Sequence, residues 1–184
     1  MAKDVLNFYA RSAHVPAGRD PGEVVADPNR YAELNRIVHW RRIFSSLWTH
    51  ENPDDHIAWR GRTYRSHSHA FQAAKFAYAG RPDVAERFSV ESGTDLGANG
   101  TGLDAHRNRK IALLGEAQLA MWAKAELECK REIYAAKYGS GTPRRALLAT
   151  GEAELWNRGP RIRTLRNLRL EELRASLTEE TQQA

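Results

Sequence analysis

The sequence predicts an α+β fold that is mainly α and carries a few short strands. Apolar side chains recur at helical spacing over most of the chain, which is typical of amphipathic helices. Only two short runs, residues 5–9 and 57–64, have the composition and alternation of strands. A chain of 184 residues is long enough for one domain with a full hydrophobic core. We therefore expect a single domain over residues 1–184, with its core at about residues 5–177 and a frayed tail at residues 178–184.

The composition is that of an ordinary soluble protein, since 41% of the residues are hydrophobic and 28% are charged. No apolar run approaches the ~20 residues that cross a bilayer. The first residues lack the apolar core of a signal peptide, so we expect a cytoplasmic protein without a membrane partner. The single cysteine, Cys129, excludes an intrachain disulfide and a zinc site built from several thiolates.

The formal net charge of +5 permits binding to nucleic acid but does not require it. Arginines are dense at residues 158–174, yet glutamates stand among them. A solvated helix face is therefore the favoured interpretation of this region, and a basic nucleic-acid-binding module is a weaker alternative.

The first part of the chain is expected to start with a strand at residues 5–9 (VLNFY), followed by a loop rich in Gly and Asp. Asp27 and Pro28 predict the start of a helix, because Asp caps exposed amides and Pro fits the first turn. Apolar residues at helical spacing predict that this helix ends near Ile43. Residues 44–48 are then expected to be extended.

The middle of the chain alternates as a strand over residues 57–64, with Gly61 at a bend. The helix that follows is expected to run to about Tyr78. Pro82 starts another short helix, and residues 91–97 are expected to form a loop.

The last part of the chain is helical for most of its length. Helix formers dominate residues 104–138, where Gly115 is the expected break. A short helix is predicted at residues 144–150. A final amphipathic helix has Ile162 and Leu173 on its apolar side.

The most informative segment is SHSHAFQAAKF at residues 66–76, which combines helix formers with hydroxyl, imidazole, amide and amine groups. Successive residues of a helix turn by about 100°. Ser68, Gln72 and Lys75 therefore fall within roughly 60° of one another on one face, beside an apolar stripe. This pattern is typical of a helix that lines a cleft and also packs on a core.

Two histidines of this segment raise the question of a metal site. His67 and His69 are two residues apart, so on a helix they point to different faces and chelate one ion poorly. We therefore expect no metal and no other cofactor.

Several segments of the chain follow one another in an order that is specific when they are taken together. They are VLNFY (residues 5–9), Tyr31 and Leu34 with WRR (40–42), FSSLW (44–48), residues 64–76, FSVESGTDL (88–96), AKY (136–138) and LLATG (147–151). In this order they resemble the NADAR superfamily, also called the YbiA-like family of N-glycosidases, and its branch rich in viruses and phages. The resemblance covers roughly residues 5–177.

This resemblance implies a helix-rich α/β fold and cleavage of an N-glycosidic bond. The bond belongs to a phosphoribosyl intermediate of riboflavin synthesis or to ADP-ribose attached to guanine, so a nucleotide-ribose or ADP-ribose-type ligand is implied. The chemistry requires an oxocarbenium-like carbon to be stabilised, usually by a carboxylate, and phosphates to be held. A lysine amine is a suitable nucleophile when desolvation lowers its pKa.

The resemblance also assigns roles to residues of this sequence by position. Lys75 would be the nucleophile or an electrostatic residue, while Gln72 and Ser68 would orient the ribose. The catalytic set is completed by His69. The substrate-binding set comprises Trp48 and Tyr64 for the base, Arg107 or Arg109 for a phosphate, and Ser46.

Three family positions are altered in this chain. Ser68 stands where the family has glutamate, Ser46 where it has asparagine, and Tyr64 where it has tryptophan. A serine hydroxyl is not anionic at neutral pH, and the loss of a group that stabilises developing charge commonly costs on the order of 10² to 10³ in rate.

The altered positions leave two interpretations open. In the first, a carboxylate from Glu91, Asp95 or Asp104 compensates and the protein is an active N-glycosidase. In the second, the fold is catalytically inert and serves as a structural or binding component with protein assembly partners. A phage virion protein is the concrete form of that second interpretation.

Overall fold

The computed structural model describes residues 3–158 and 164–183 of the chain. Within those ranges the structure is mainly helical and has five short strands, which confirms the α+β class predicted from the sequence. Contacts along the chain define two compact units. The first unit is formed by Met1–Ser45 and Gly141–Ala184, and the second by Ser46–Ser140.

The regular elements are short, with the exception of two longer helices. The strands are β1 (Val5–Phe8), β2 (Ile57–Trp59), β3 (Arg62–Tyr64), β4 (Glu154–Asn157) and β5 (Leu165–Arg166). The helices are α1 (Ala32–Arg36), α2 (Trp40–Ile43), α3 (His67–Tyr78), α4 (Pro82–Glu86), α5 (Gly102–Arg107), α6 (Glu116–Tyr138), α7 (Gly141–Leu148) and α8 (Leu168–Gln183). Short 3-10 turns occur at Pro28–Tyr31, Pro53–Asp55, Val90–Ser92 and Asn108–Lys110, and a π-helical turn at Asp95–Asn99.

The first unit is built on a three-stranded sheet with the order β1-β4-β5. β1 pairs with β4 in parallel, so that Val5 lies opposite Glu154, and β4 pairs with β5 in the antiparallel sense. Leu6 and Leu155 are fully buried, and the Phe8 ring meets Phe44 edge-on at 5.7 Å between centroids. The sheet therefore supplies one side of this unit's apolar core.

The helix expected from Pro28 to Ile43 is interrupted in the structure. Ile37 is extended and His39 adopts a left-handed backbone conformation with φ of 59°, so α1 and α2 are separate. On one continuous helix Leu34 and Trp40 would point about 120° apart, whereas both are fully buried here. The break therefore brings two large apolar side chains into the core that a single short helix could not bury together.

The segment 44–48 is also different from its expected extended form. It consists of turns, and Ser45 continues the direction of α2 by donating its N–H to the Arg42 carbonyl at 2.9 Å.

The C-terminal part of the first unit contains elements that the sequence did not indicate. β4 and β5 were not anticipated, and α7 begins three residues before the predicted helix at 144–150. Asn167 starts α8 by accepting the N–H of Leu170 on its side-chain oxygen at 3.1 Å. α8 continues through residues 178–183, so the expected frayed tail is helical there. Ile162 lies outside the described residues.

The second unit is built around α3, which packs on α4, α5 and α6. β2 and β3 form an antiparallel hairpin whose turn residues, Arg60 and Gly61, both have positive φ, as tight hairpins require. The predicted helix over residues 66–78 and the break at Gly115 are confirmed. The part expected to be a loop at residues 91–97 contains the 3-10 and π-helical turns instead.

A buried ion pair organises the N-terminal loop of the first unit. The Arg41 guanidinium donates to both carboxylate oxygens of Glu23, at 3.1 and 2.7 Å, and both side chains are almost completely buried. Arg41 also donates to the carbonyls of Val15 and Pro16. Glu23 further accepts backbone N–H groups from Asn7 and from the loop itself. The pair therefore ties the loop to β1 and α2.

We predict that Glu23→Gln lowers the free energy of unfolding by about 3–5 kcal/mol, because it leaves the Arg41 charge buried without its counter-charge. Urea denaturation at neutral pH measures the change. The matched control is Glu33→Gln, since the Glu33–Arg36 pair is about three-quarters exposed on both sides. That control should change stability by less than about 1 kcal/mol. Equal effects of the two substitutions would contradict the structural role of Glu23.

Candidate functional site

The start of α3 is fixed by Ser66 and His69. The Ser66 hydroxyl oxygen accepts the backbone N–H of His69 at 3.2 Å and lies 2.8 Å from the His69 Nδ1. The His69 Nε2 lies 2.9 Å from the Leu96 carbonyl oxygen. A carbonyl only accepts, so Nε2 carries the proton, and the Ser66 hydroxyl donates to Nδ1. Burial lowers the pKa of His69 to about 4, which keeps the ring neutral at pH 7.

The flanks of α3 are apolar and closely packed. Phe76 stacks on Phe88 at 5.9 Å between ring centroids on one side. On another side Phe71 meets Trp122 edge-on at 5.2 Å. Both flanks are therefore used for packing, which leaves Ser68, Gln72 and Lys75 as the polar strip between them. We call these three residues the α3 polar face.

Ser68 and Gln72 are both 5% exposed. The Ser68 N–H donates to the Ser46 carbonyl oxygen at 3.0 Å, so the turn that contains Ser46 covers the start of the helix. The Gln72 Oε1 is buried and has no hydrogen-bond partner. A buried acceptor of this kind loses free energy unless a donor reaches it. An N–H or O–H group of a ligand would supply such a donor.

Lys75 carries the amine of the α3 polar face. Its Nζ donates to the Arg109 carbonyl oxygen and lies 4.7 Å from the centroid of the Phe76 ring. Burial lowers the pKa of Lys75, and the nearby charges of Arg109 and Lys110 lower it further. The amine therefore gives up its proton more readily than an exposed lysine does, which is the condition for a lysine nucleophile.

Of the other predicted site residues, Arg109 and Ser46 contact the α3 polar face through their backbone carbonyl groups. The Arg109 backbone touches Lys75, and its guanidinium donates to the His106 carbonyl at 3.2 Å. Arg107 is exposed and lies 3.9 Å from a carboxylate oxygen of Asp104. Ser46 and Trp48 belong to the turn segment at residues 44–48. The Ser46 side chain is exposed, and Trp48 is half-buried.

Tyr64 is not brought to the α3 polar face. It is buried beside Trp59, at 6.3 Å between ring centroids, and lines a recess of about 420 Å³ that also includes Ala77. Ala77 follows Lys75 by two residues and so points about 200° away from it around α3. Burial raises the pKa of Tyr64 to about 12. A role for Tyr64 in binding a base would therefore belong to the opposite side of the helix from Lys75.

The three carboxylates considered from the sequence as substitutes for a glutamate at position 68 have other partners. Glu91 accepts the backbone N–H of Thr63 at 2.8 Å, and Asp95 accepts from the Asn99 side chain at 3.2 Å. Asp104 completes the capping box of α5 by accepting the backbone N–H of Thr101 at 3.0 Å, and it also accepts the Thr101 hydroxyl at 2.6 Å. Asp95 and Asp104 both line a polar recess of about 670 Å³. Each carboxylate is thus used locally in the structure.

Sequence reasoning missed a second unusual lysine, Lys137, near the end of α6. Its side chain is almost fully buried, and burial lowers its pKa to about 7. Burial of His50, together with the charge of the nearby Lys137, lowers the pKa of His50 to about 3. The signal was present, because Cys129, Ile133 and Lys137 follow at four-residue intervals on the apolar side of α6.

In the described ranges 3–158 and 164–183, no helix is long and apolar enough to cross a membrane. Across those same residues, no group of three or more His, Cys, Asp or Glu side chains is placed to hold a metal ion.

A comparison with solved structures identifies a similar fold. The NMR structure of the E. coli protein YbiA is similar to this chain with a TM-score of 0.51 and 18% sequence identity, over 98% of this chain and 86% of that chain. This confirms the fold that the resemblance implies. No protein-family model and no curated protein matches the sequence.

We predict that the protein loses stability as the pH falls from about 6.5 toward 4. His50 and His69 have folded-state pKa values of about 3 and about 4, below the unfolded value near 6.5. The unfolded chain therefore binds more protons in this window, and the free energy of unfolding decreases. His69→Gln should flatten the dependence by about one proton, measured as the slope of unfolding free energy against pH. The exposed His106→Gln should keep the original slope.

We also predict that Lys137→Met stabilises the protein most at and below pH 7. Between about pH 10.5 and pH 7 the unfolded lysine is protonated while the buried one is neutral, so the native lysine costs progressively more stability as the pH falls through this window. The advantage of the methionine should shrink as the pH rises toward 10.5. Thermal unfolding over this range measures it, with the exposed Lys124→Met as the matched control. A pH-independent difference would contradict the buried neutral amine.

Proposed function

We propose that this protein is an N-glycosidase-like enzyme that hydrolyses the N-glycosidic bond of a ribosylated or ADP-ribosylated base. The observation that carries the proposal is the α3 polar face. It holds a partly buried amine, Lys75, whose pKa is lowered, on the same face as an unpartnered buried acceptor on Gln72. The YbiA-like fold and the family resemblance of this segment support the same assignment.

In the proposed reaction the neutral Lys75 amine attacks C1 of the ribose. The bond from C1 to the base nitrogen breaks, the base leaves with a proton, and the opened sugar is held as a Schiff base until water releases it. Gln72 would accept a ribose hydroxyl, with Ser68 beside it. Arg107 and Arg109 would hold a phosphate close to the amine, since guanidinium groups pair well with phosphate oxygens.

We predict that borohydride traps a covalent adduct on Lys75 when the protein is mixed with ADP-ribosylated guanine. Lys75→Arg keeps the charge but removes the nucleophile, so it should abolish the adduct and lower base release by at least about 10²-fold. Mass spectrometry of the reduced protein locates the adduct, and chromatography measures the released base. Lys124→Arg, at an exposed lysine of α6, should behave as the unchanged protein.

A second candidate function is supported by the absence of a carboxylate at position 68, where the family that the chain resembles has glutamate. Ser68 stands there, and Glu91, Asp95 and Asp104 each have other partners. In this case the protein is an inert relative used in assembly or binding, for example as a phage virion component. It would then show neither adduct nor base release, and Ser68→Glu would be needed to produce activity. Base release by the unchanged protein would eliminate this candidate.

A further inference from the structure

The long helix α6 exposes an apolar stripe that lies outside the buried core cluster of its unit. Leu119 and Leu127 are 48% and 51% exposed, and the intervening Ala120 and Ala123 are exposed as well. The four side chains fall within about 100° around the helix axis, the width of a typical packing face. We call them the α6 stripe. The buried Trp122, Cys129 and Ile133 lie on a different side of the helix.

Charged residues flank the stripe symmetrically. Glu116 precedes Ala123 by seven residues and Lys130 follows it by seven, so both lie on the same face as Ala123. The Lys130 side chain remains 36% exposed while it pairs with Glu126 one turn earlier. The stripe thus has Glu116 at one end, small residues at its centre, and the partly exposed Lys130 with its partner Glu126 at the other end.

We propose that the α6 stripe binds the α6 stripe of a second copy of this chain, with the two helices antiparallel about a two-fold axis at Ala123. In this arrangement residues equidistant from Ala123 face each other. Leu119 of one copy meets Leu127 of the other, and Glu116 meets Lys130. The parallel arrangement would instead place Glu116 against Glu116 and Lys130 against Lys130. Charge complementarity therefore selects the antiparallel, isologous pair.

The small side chains at the centre favour close approach of the two helices, since Ala120 and Ala123 project little from the backbone. Four apolar side chains from each copy bury much less surface than a standard protein–protein interface, which buries about 800 Å² on each partner. The dimer should therefore be weak and concentration-dependent, with the end charges setting its direction more than its strength.

Cysteine cross-linking tests the face and the direction of the pairing. Ala123→Cys places two thiols at the two-fold axis, so mild oxidation should yield a disulfide-linked dimer. Met121→Cys is the matched control, because Met121 is 54% exposed but points about 160° away around α6. A mixture of Leu119→Cys and Leu127→Cys should cross-link better than either variant alone. Better cross-linking of each variant alone would indicate the parallel arrangement and overturn the proposal.

Sedimentation analysis over a concentration series up to about 1 mM tests the charges without a new covalent bond. Glu116→Lys and Lys130→Glu should each weaken self-association, because each places like charges opposite one another. Mixing the two variants should restore association as a heterodimer. A protein that stays monomeric throughout the series, with Ala123→Cys no more cross-linked than Met121→Cys, would overturn the proposal and leave the stripe for a different partner.

Discussion

The second unit depends on one constraint: α3 is packed on nearly every side, so each polar group on it must find a partner in a crowded place. Ser66 and His69 satisfy one another and the Leu96 carbonyl, which sets where the helix starts. Lys75 reaches the Arg109 carbonyl. The Gln72 Oε1, by contrast, is buried without a hydrogen-bond partner. The unpaired acceptor on Gln72 is therefore a consequence of how tightly this helix is enclosed.

Burial of charge is handled differently in the two units. In the first, Arg41 and Glu23 are buried together, and each has further hydrogen bonds to the loop. In the second, burial lowers the pKa of Lys137 to about 7, so the amine loses its charge much more readily than an exposed lysine does. The Arg41–Glu23 pair fixes the backbone of the N-terminal loop. The lowered pKa of Lys137 instead makes the free energy of unfolding depend on pH.

Local signals in the sequence predicted the parts of the fold that depend on local physics. The α3 polar face follows from helical geometry alone, and Gly115 separates α5 from α6 as expected. The failures involve partners distant in sequence. β4 is four residues long and is stabilised by pairing with β1, about 150 residues away, so its own sequence carries little signal. Lys137 was overlooked because its type suggests solvent, although its position on α6 lies on the buried side.

In the proposed N-glycosidase, Ser68 stands where the resemblance implies a glutamate, and this changes which mechanism suits the proposed site. An oxocarbenium-like carbon needs a nearby negative charge, whereas the charges beside Lys75 come from Arg109 and Lys110 and are positive. Positive surroundings oppose such a cation, but they favour a neutral amine and attract phosphate. A lysine that donates its electron pair directly to C1 limits the positive charge that must develop there. In the proposed reaction, the same positive charges that oppose an oxocarbenium-like cation therefore favour covalent attack by Lys75.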